Sequence, residues 1–347
     1  MPTSRSNDRQ IAIWLFLVCA AILFMLVLGG ATRLTHSGLS MVQWDPLMGW
    51  IPPLTDSQWS TSFQHYQQTP EFYKLNIGMD LQGYKQIFLL EYVHRVWGRL
   101  LGVIFLLPFL YFLIKGKIKP SLRPKLIIMF ILGGLQGVLG WYMVKSGLVD
   151  QPHVSPYRLT AHLLTAFILY GYIFWQALAL FFSRSTDHNP QLMGLQRFAW
   201  LIAGLVFTTA ASGGFVAGLK AGFAFNTFPL MNGRFVPEYY LLYQPWYSNL
   251  FENIAAVQFD HRLLAESVLV LIVGLFLYCR RLQLDRFIIT ALWLILLAVI
   301  VQFALGVSTL LLVVPTSLAV IHQAGALLLF TAALFLLFAV RGSPTSS

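Results

Sequence analysis

Charge is what this chain has least of. Asp, Glu, Lys and Arg together make up 10% of its 347 residues, where a soluble domain carries about 25%. A chain so poor in charge cannot cover a core with solvated side chains, which excludes a water-soluble globular protein. Cysteine is nearly absent too, with Cys19 and Cys279 the only two. Both fall in apolar runs out of reach of an oxidising compartment, so no disulfide is expected, only two packed apolar side chains. The first ten residues, MPTSRSNDRQ, are too short and polar for a cleavable signal or a transit peptide. A bacterial cell (inner) membrane is the expected address.

What the chain has in abundance is hydrophobic residues, 57% of the total. Apolar stretches near 11–30, 86–114, 125–144, 157–182, 197–218, 257–279, 287–312 and 317–340 each approach or exceed the roughly 20 residues that cross a bilayer as a helix. With the N-terminus inside, thirteen Lys and Arg flank the inner ends and seven the outer ones. That bias places both termini in the cytoplasm. The net charge of +10 is then a topology signal, and the lipid bilayer, not nucleic acid, is the partner it implies.

The chain repeats itself across its midpoint. GGATRLTHSGLSMVQWDPLMG (29–49) answers GGFVAGLKAGFAFNTFPLMNG (213–233), EYVHRVWGR (91–99) answers QFDHRLLAE (258–266), and QGVLG (136–140) answers QFALG (302–306). Self-similarity of this length marks duplicated structural units. Each unit has four spans, an even number, so the two halves enter the membrane in the same sense. The expected fold is an all-α integral membrane protein, its eight transmembrane helices arranged as two parallel-repeat four-helix bundles, 1–182 and 183–347. The outer segments 31–85, 145–156 and 219–256 are long and rich in Trp, Tyr, Phe, Pro and Gly. Their aromatic content argues for order, as a lid over the outer face.

Four histidines, His94, His162, His261 and His322, sit inside apolar runs, two in each repeat. An ionisable group at membrane depth is costly and marks a function with a partner. All four lie roughly 7–14 Å below the outer surface at about 1.5 Å per residue. Imidazoles at matched depth on facing helices can supply both axial ligands of a haem iron, whereas zinc would want further protein ligands. A lone histidine at such a position more commonly holds helices together by hydrogen bonding; four in register do not fit that explanation. The other histidines, His36, His65, His153 and His188, are expected in solvated loops, with His36 just above the first bundle.

The repeat has one chemical asymmetry. Glu91 precedes His94 by three residues on one helical face, while the equivalent before His261 is Gln258. A carboxylate beside one pair could steer protons, or simply pair with Arg95 or Arg99. Arg158, one turn before His162, could clamp a haem propionate or snorkel to the interface. Arg95, Arg99 and Arg262 need anions, whether Glu91, Asp260 and Glu266 or propionates.

RLTHSGLSMVQWDP (33–46), PLMGWIPPL (46–54), EYVHRVWGRLLG (91–102), NTFPLMNG (226–233) and QFDHRLLAE (258–266) together resemble the haem A synthase family over about residues 11 to 340. The likeness is to the proteobacterial and mitochondrial branch. The other branch carries a cysteine pair in its first outer loop, and loop 31–85 here has none. The resemblance implies an oxidoreductase that converts the ring methyl at position 8 of haem O, by successive hydroxylations, to the formyl group of haem A for terminal oxidase assembly. It implies haem b as cofactor between His261 and His322, and haem O as substrate between His94 and His162 beside Glu91. Its haem sites would lie toward the periplasmic side. Passing so apolar a haem between enzymes makes a complex with the haem O synthase an expected association. No residue identifies the electron donor or decides whether the chain forms a homo-oligomer. The competing reading is a di-haem b membrane cytochrome that only transfers electrons. Histidines near one face and the unmatched Glu91 argue against it.

Overall fold

A computed structural model describes residues 2–42, 49–147, 154–182 and 192–342. His153 and His188 lie outside the described residues. Eight long apolar helices dominate, as their composition requires. In chain order, α1 (Pro2–Leu34) is followed by two short helices, α2 (Asp56–Gln67) and α3 (Pro70–Leu75). Then come α4 (Leu81–Ile114), α5 (Arg123–Gly147), α6 (Pro156–Phe181) and α7 (Met193–Gly218). The single turn α8 (Asn249–Glu252) leads into α9 (Ile254–Cys279), α10 (Arg286–Leu311) and α11 (Thr316–Arg341). All but α2, α3 and α8 are long and apolar enough to cross a membrane, so this is a multi-pass membrane protein. Helices suit that role because every backbone group is satisfied within the segment. Among the described residues, the only β pairing is an isolated bridge between Met231 and Arg234.

Several helix starts are written locally. The side chains of Asp80, Asn253 and Asp285 accept from the first free backbone N–H groups of α4, α9 and α10, as N-caps do. Thr55 and Gln58 form a reciprocal capping box at α2.

The chain forms two compact units, Ala20–His162, and Met1–Cys19 with Leu163–Ser347. In the second of these, α7, α9, α10 and α11 form a closed ring in which each helix touches two neighbours. In the first, the C-terminal half of α1 packs on α4, where Trp97 Nε1 donates to the Ala21 carbonyl at 3.0 Å and Phe24 meets the Trp97 ring edge-on. Phe105 of α4 stacks on Phe130 of α5. The expectation of order before α4 is met by an aromatic core of Trp59 and Tyr66 from α2 with Tyr84 and Phe88 from α4. His65 lies on α2 and not in a loop. Cys19 and Cys279 are buried free thiols.

Candidate functional site

Three of the four intramembrane histidines lie in the second turn of their helices, α6, α9 and α11; His94 lies deeper along α4, which begins several residues earlier than its apolar run. Within the unit Ala20–His162, His94 and His162 are close enough to sense one another's charge. Within the other unit the same holds for His261 and His322. All four rings are half-buried.

Each ring rests against a glycine of a different helix. A Cβ built on Gly29 of α1 would come 3.3 Å from His94 Nε2, and one on Gly140 of α5 would come 3.5 Å from His162 Cε1. On Gly213 of α7 it would stand 3.1 Å from His261 Cε1, and on Gly306 of α10 2.9 Å from His322 Cε1. These are equivalent positions of the duplicated segments. Four glycines give four imidazoles room against a neighbouring backbone, a cradle that a larger side chain would fill.

The C-terminal pair is held on its Nδ1 side. Ser212 Oγ donates to the Thr209 carbonyl at 2.8 Å and stands 2.8 Å from His261 Nδ1. Gln302 Nε2 donates to the His322 carbonyl at 3.0 Å and lies 3.2 Å from its Nδ1, in space that Gly325 leaves open. Anchoring Nδ1 fixes ring orientation and leaves Nε2 as the ligand nitrogen. Two imidazoles with anchored Nδ1 edges and glycine backing fit the axial ligation of a haem. Among the described residues no three His, Cys, Asp or Glu side chains converge on a metal position.

The loop after α1 is tied to α4 through Glu91, which is 2% exposed. Its Oε2 accepts from the backbone N–H groups of Ser40 and Met41, each at 2.8 Å, and from Ser40 Oγ at 2.6 Å. Its Oε1 accepts from Arg95 Nε at 3.1 Å and Nη2 at 2.5 Å, and Arg95 also donates to the Met41 carbonyl at 3.0 Å. Gln258 and Arg262 meet the equivalent loop with opposite polarity. Gln258 Nε2 and Arg262 Nη2 both donate to the Phe225 carbonyl, at 3.1 and 2.6 Å, and Arg262 Nη1 donates to the Thr227 carbonyl at 2.8 Å. The carboxylate thus binds backbone N–H groups where the amide binds a carbonyl.

Of the expected cations, Arg95 takes Glu91. Arg99 instead donates to the Gly49 carbonyl at 2.8 Å and lies over the Trp50 ring, and Arg158 lies 4.6 Å over the Tyr142 ring. Asp260 accepts from the Tyr240 hydroxyl at 2.9 Å and makes no ion pair with Arg262 among the described contacts. Burial and the Asp260 charge push the Tyr240 hydroxyl up to about 12. Arg262 Nε is buried with no hydrogen-bond partner among the described residues, an orphaned cationic donor that suits an anionic substituent such as a propionate. Sequence reading had not singled out Ser40, Met41, Ser212 and Gln302. Their signal was positional: each lies inside a duplicated segment or beside one of its paired glycines.

Comparison with known proteins finds relatives over nearly the whole chain. Residues 12–334 match the family described as cytochrome oxidase assembly protein. The chain is 52% identical over 329 residues to "Heme A synthase" of Nitrosospira multiformis, covering 94% of this chain and 92% of that one. It is 48% identical over 334 residues to "Heme A synthase" of Paramagnetospirillum magneticum, covering 95% and 93%. It is 43% identical over 348 residues to "Heme A synthase COX15" of Homo sapiens, covering 98% and 85%.

Proposed function

This chain belongs to the cytochrome oxidase assembly protein family and converts haem O to haem A, and we propose that it does so with haem O held between His94 and His162 and a resident haem b between His261 and His322. The observation that carries the division is the asymmetry at Glu91. One histidine pair has a buried carboxylate one turn away and the other a neutral amide, so the titratable group stands where a methyl must lose hydrogen.

A haem b bound by the C-terminal pair supplies one-electron redox chemistry. The chain's own residues do the rest. Ser212 and Gln302 turn His261 and His322 to face a ligand with Nε2, and Gly213 and Gly306 let both rings lie against backbone. Arg262, which donates to the Phe225 and Thr227 carbonyls and has a buried Nε with no hydrogen-bond partner among the described residues, offers that donor to a propionate. At the substrate site Glu91 ties the 37–41 loop to α4 and stands one turn before His94, where a carboxyl can serve as the positioned acid–base group. Arg95 keeps that carboxylate oriented, and Arg158 and Arg99 are assigned to the substrate propionates. The apolar tail of haem O suits entry from the bilayer. The bias of Lys and Arg toward the inner loops supports cytoplasmic termini and haem sites on the periplasmic side of a bacterial inner membrane.

Pigment extraction tests this. Membranes containing the chain and supplied with haem O should yield haem A by chromatography, and Glu91→Gln should lower the yield by about 10²-fold or more, the usual contribution of a positioned acid–base group. Haem O left unconverted by the intact chain would refute the reading. A spectrum of two bound haems with no conversion would favour an electron-transferring cytochrome.

A further inference from the structure

Three of the four histidine sites are built alike and one is not. In a helix each carbonyl bonds to the N–H four residues on, and a glycine at that position leaves the oxygen open to a side chain from another helix. The C-terminal pair uses this twice. The His261 ring hydrogen-bonds to the Thr209 carbonyl, four residues before Gly213. The His322 ring does so to the Gln302 carbonyl, four before Gly306. Ser212 Oγ stands 2.8 Å from His261 Nδ1 as a second acceptor, because its own hydrogen goes to the Thr209 carbonyl. A carbonyl, or a hydroxyl whose hydrogen is spent, can only accept. Nδ1 of His261 therefore carries the proton, and Nε2 keeps the lone pair that a haem iron takes.

In the N-terminal pair one ligand follows this arrangement and the other breaks it. His162 presents Cε1 to Gly140, as His261 and His322 do to Gly213 and Gly306. Gln136 stands in its duplicated segment where Gln302 does. His94 instead presents Nε2 to Gly29, with Cδ2 next at 4.0 Å, so its Nδ1 edge is turned away from α1. The residue before Gly29 is Leu28, in the place that Ser212 holds in the other half, and a leucine side chain accepts nothing. Among the described residues the His94 ring makes no hydrogen bond. Partners on the outer nitrogen of a ligand histidine hold the ring in place and raise its basicity. His94 has neither aid.

We propose that His94 is the exchangeable ligand of the substrate haem, releasing the iron to open one coordination position while His162 stays bound, and that Leu28 in the place of Ser212 frees it. The proposal rests on the reading of His94 and His162 as the haem O site. In the release the bond between Nε2 and iron breaks, its electron pair stays on the imidazole, and the ring turns toward Gly29. No proton moves and the iron keeps its oxidation state. The freed imidazole then stands one turn after Glu91 as a second group able to take a proton, so the ring is still needed for conversion. The resident haem, with both rings tethered, keeps both ligands, as suits a group that only passes electrons.

Electron paramagnetic resonance on the full-length protein in membranes, loaded with ferric haem O and no reductant, tests this without turnover. Ferric haem with two imidazoles is low-spin, and with one it is high-spin. The intact chain should show a high-spin share due to haem O, and cyanide should bind there while the resident haem stays low-spin. Leu28→Ser should shrink that share and raise the cyanide concentration required by about 10-fold or more, the usual worth of such a tether. His94→Ala should hold haem O wholly high-spin, whereas His162→Ala should lose it. Ser212→Leu should open the resident haem to cyanide; if that variant does not accumulate, Ser212→Ala makes the same test with a smaller side chain. Haem O wholly low-spin in the intact chain, a high-spin share indifferent to Leu28→Ser, or haem O lost from His94→Ala but kept by His162→Ala would each overturn the release alone. Haem O bound equally by the intact chain, His94→Ala and His162→Ala would lie elsewhere, which defeats the site reading and the release with it.

Discussion

Each imidazole is placed by the side chain its neighbour lacks. Adding a methyl at Gly306 sets two effects against each other. Alanine favours a helix over glycine by about 1 kcal/mol, whereas forcing an atom to 2.9 Å from His322 Cε1 costs about 1–3 kcal/mol of overpacking. At Gly140 the same atom would sit at 3.5 Å, an ordinary contact, so only the helical gain remains. We expect Gly306→Ala and then Gly213→Ala to lower retention of the resident haem, read as the Soret absorbance per protein, by severalfold. Gly140→Ala should keep haem binding and raise thermal stability slightly. Equal effects at all four glycines would refute the steric account. The histidines were legible in the sequence because an ionisable group in an apolar run is conspicuous. Their glycine partners were not, since nothing along the chain says that residue 29 meets residue 94.

The helices end as the duplicated segments do. α1 stops with His36 at φ 54° and α7 with Lys220 at φ 56°, equivalent residues in the two glycine-led motifs. Ser37 N–H turns back to the Thr32 carbonyl at 2.8 Å, and Lys220 N–H to the Ala217 carbonyl at 3.2 Å. A left-handed residue at this point is the usual way to finish a helix, and glycine is its natural occupant. A side chain there costs about 1–2 kcal/mol, against which glycine loses about 0.4–1 kcal/mol to a freer unfolded chain. His36→Gly and Lys220→Gly should therefore each stabilise by about 0.5–1 kcal/mol, visible as a higher Tm in detergent, with haem A yield unchanged. Loss of conversion in His36→Gly would show that this exposed imidazole does more than end a helix. Seven of the eight spans were readable to within about five residues because twenty apolar residues have few alternatives, whereas α1 begins at Pro2, well before its apolar run near 11–30. Where the structure departs it extends outward, as in α4, which begins at Leu81 because Asp80 caps it. The short α2 and α3 were read only as ordered aromatic loop, since their helical signal is a capping box and a Thr-Pro start, with no apolar period.

Two histidine pairs in two compact units make the strongest demand on experiment, because the proposed division of labour forbids a symmetric outcome. His261 and His322 lie in the closed ring of α7, α9, α10 and α11, anchored by Ser212 and Gln302. On the proposed division, replacing either would remove one of the two axial ligands, so the resident haem should be lost and conversion with it. His94 belongs with Glu91 and the 37–41 loop, which are tied together by Ser40, Met41 and Arg95. Those tethers do not pass through its imidazole. His94→Ala should therefore keep the fold and the resident haem while stopping haem A formation. The measurement is a pair of numbers for each variant, haem b retained and haem A made. His261→Ala and His322→Ala should lose both, and His94→Ala and His162→Ala only the second. Loss of haem b to the same degree in all four would mean that the pairs serve one shared purpose, and the unmatched carboxylate at Glu91 would need another explanation.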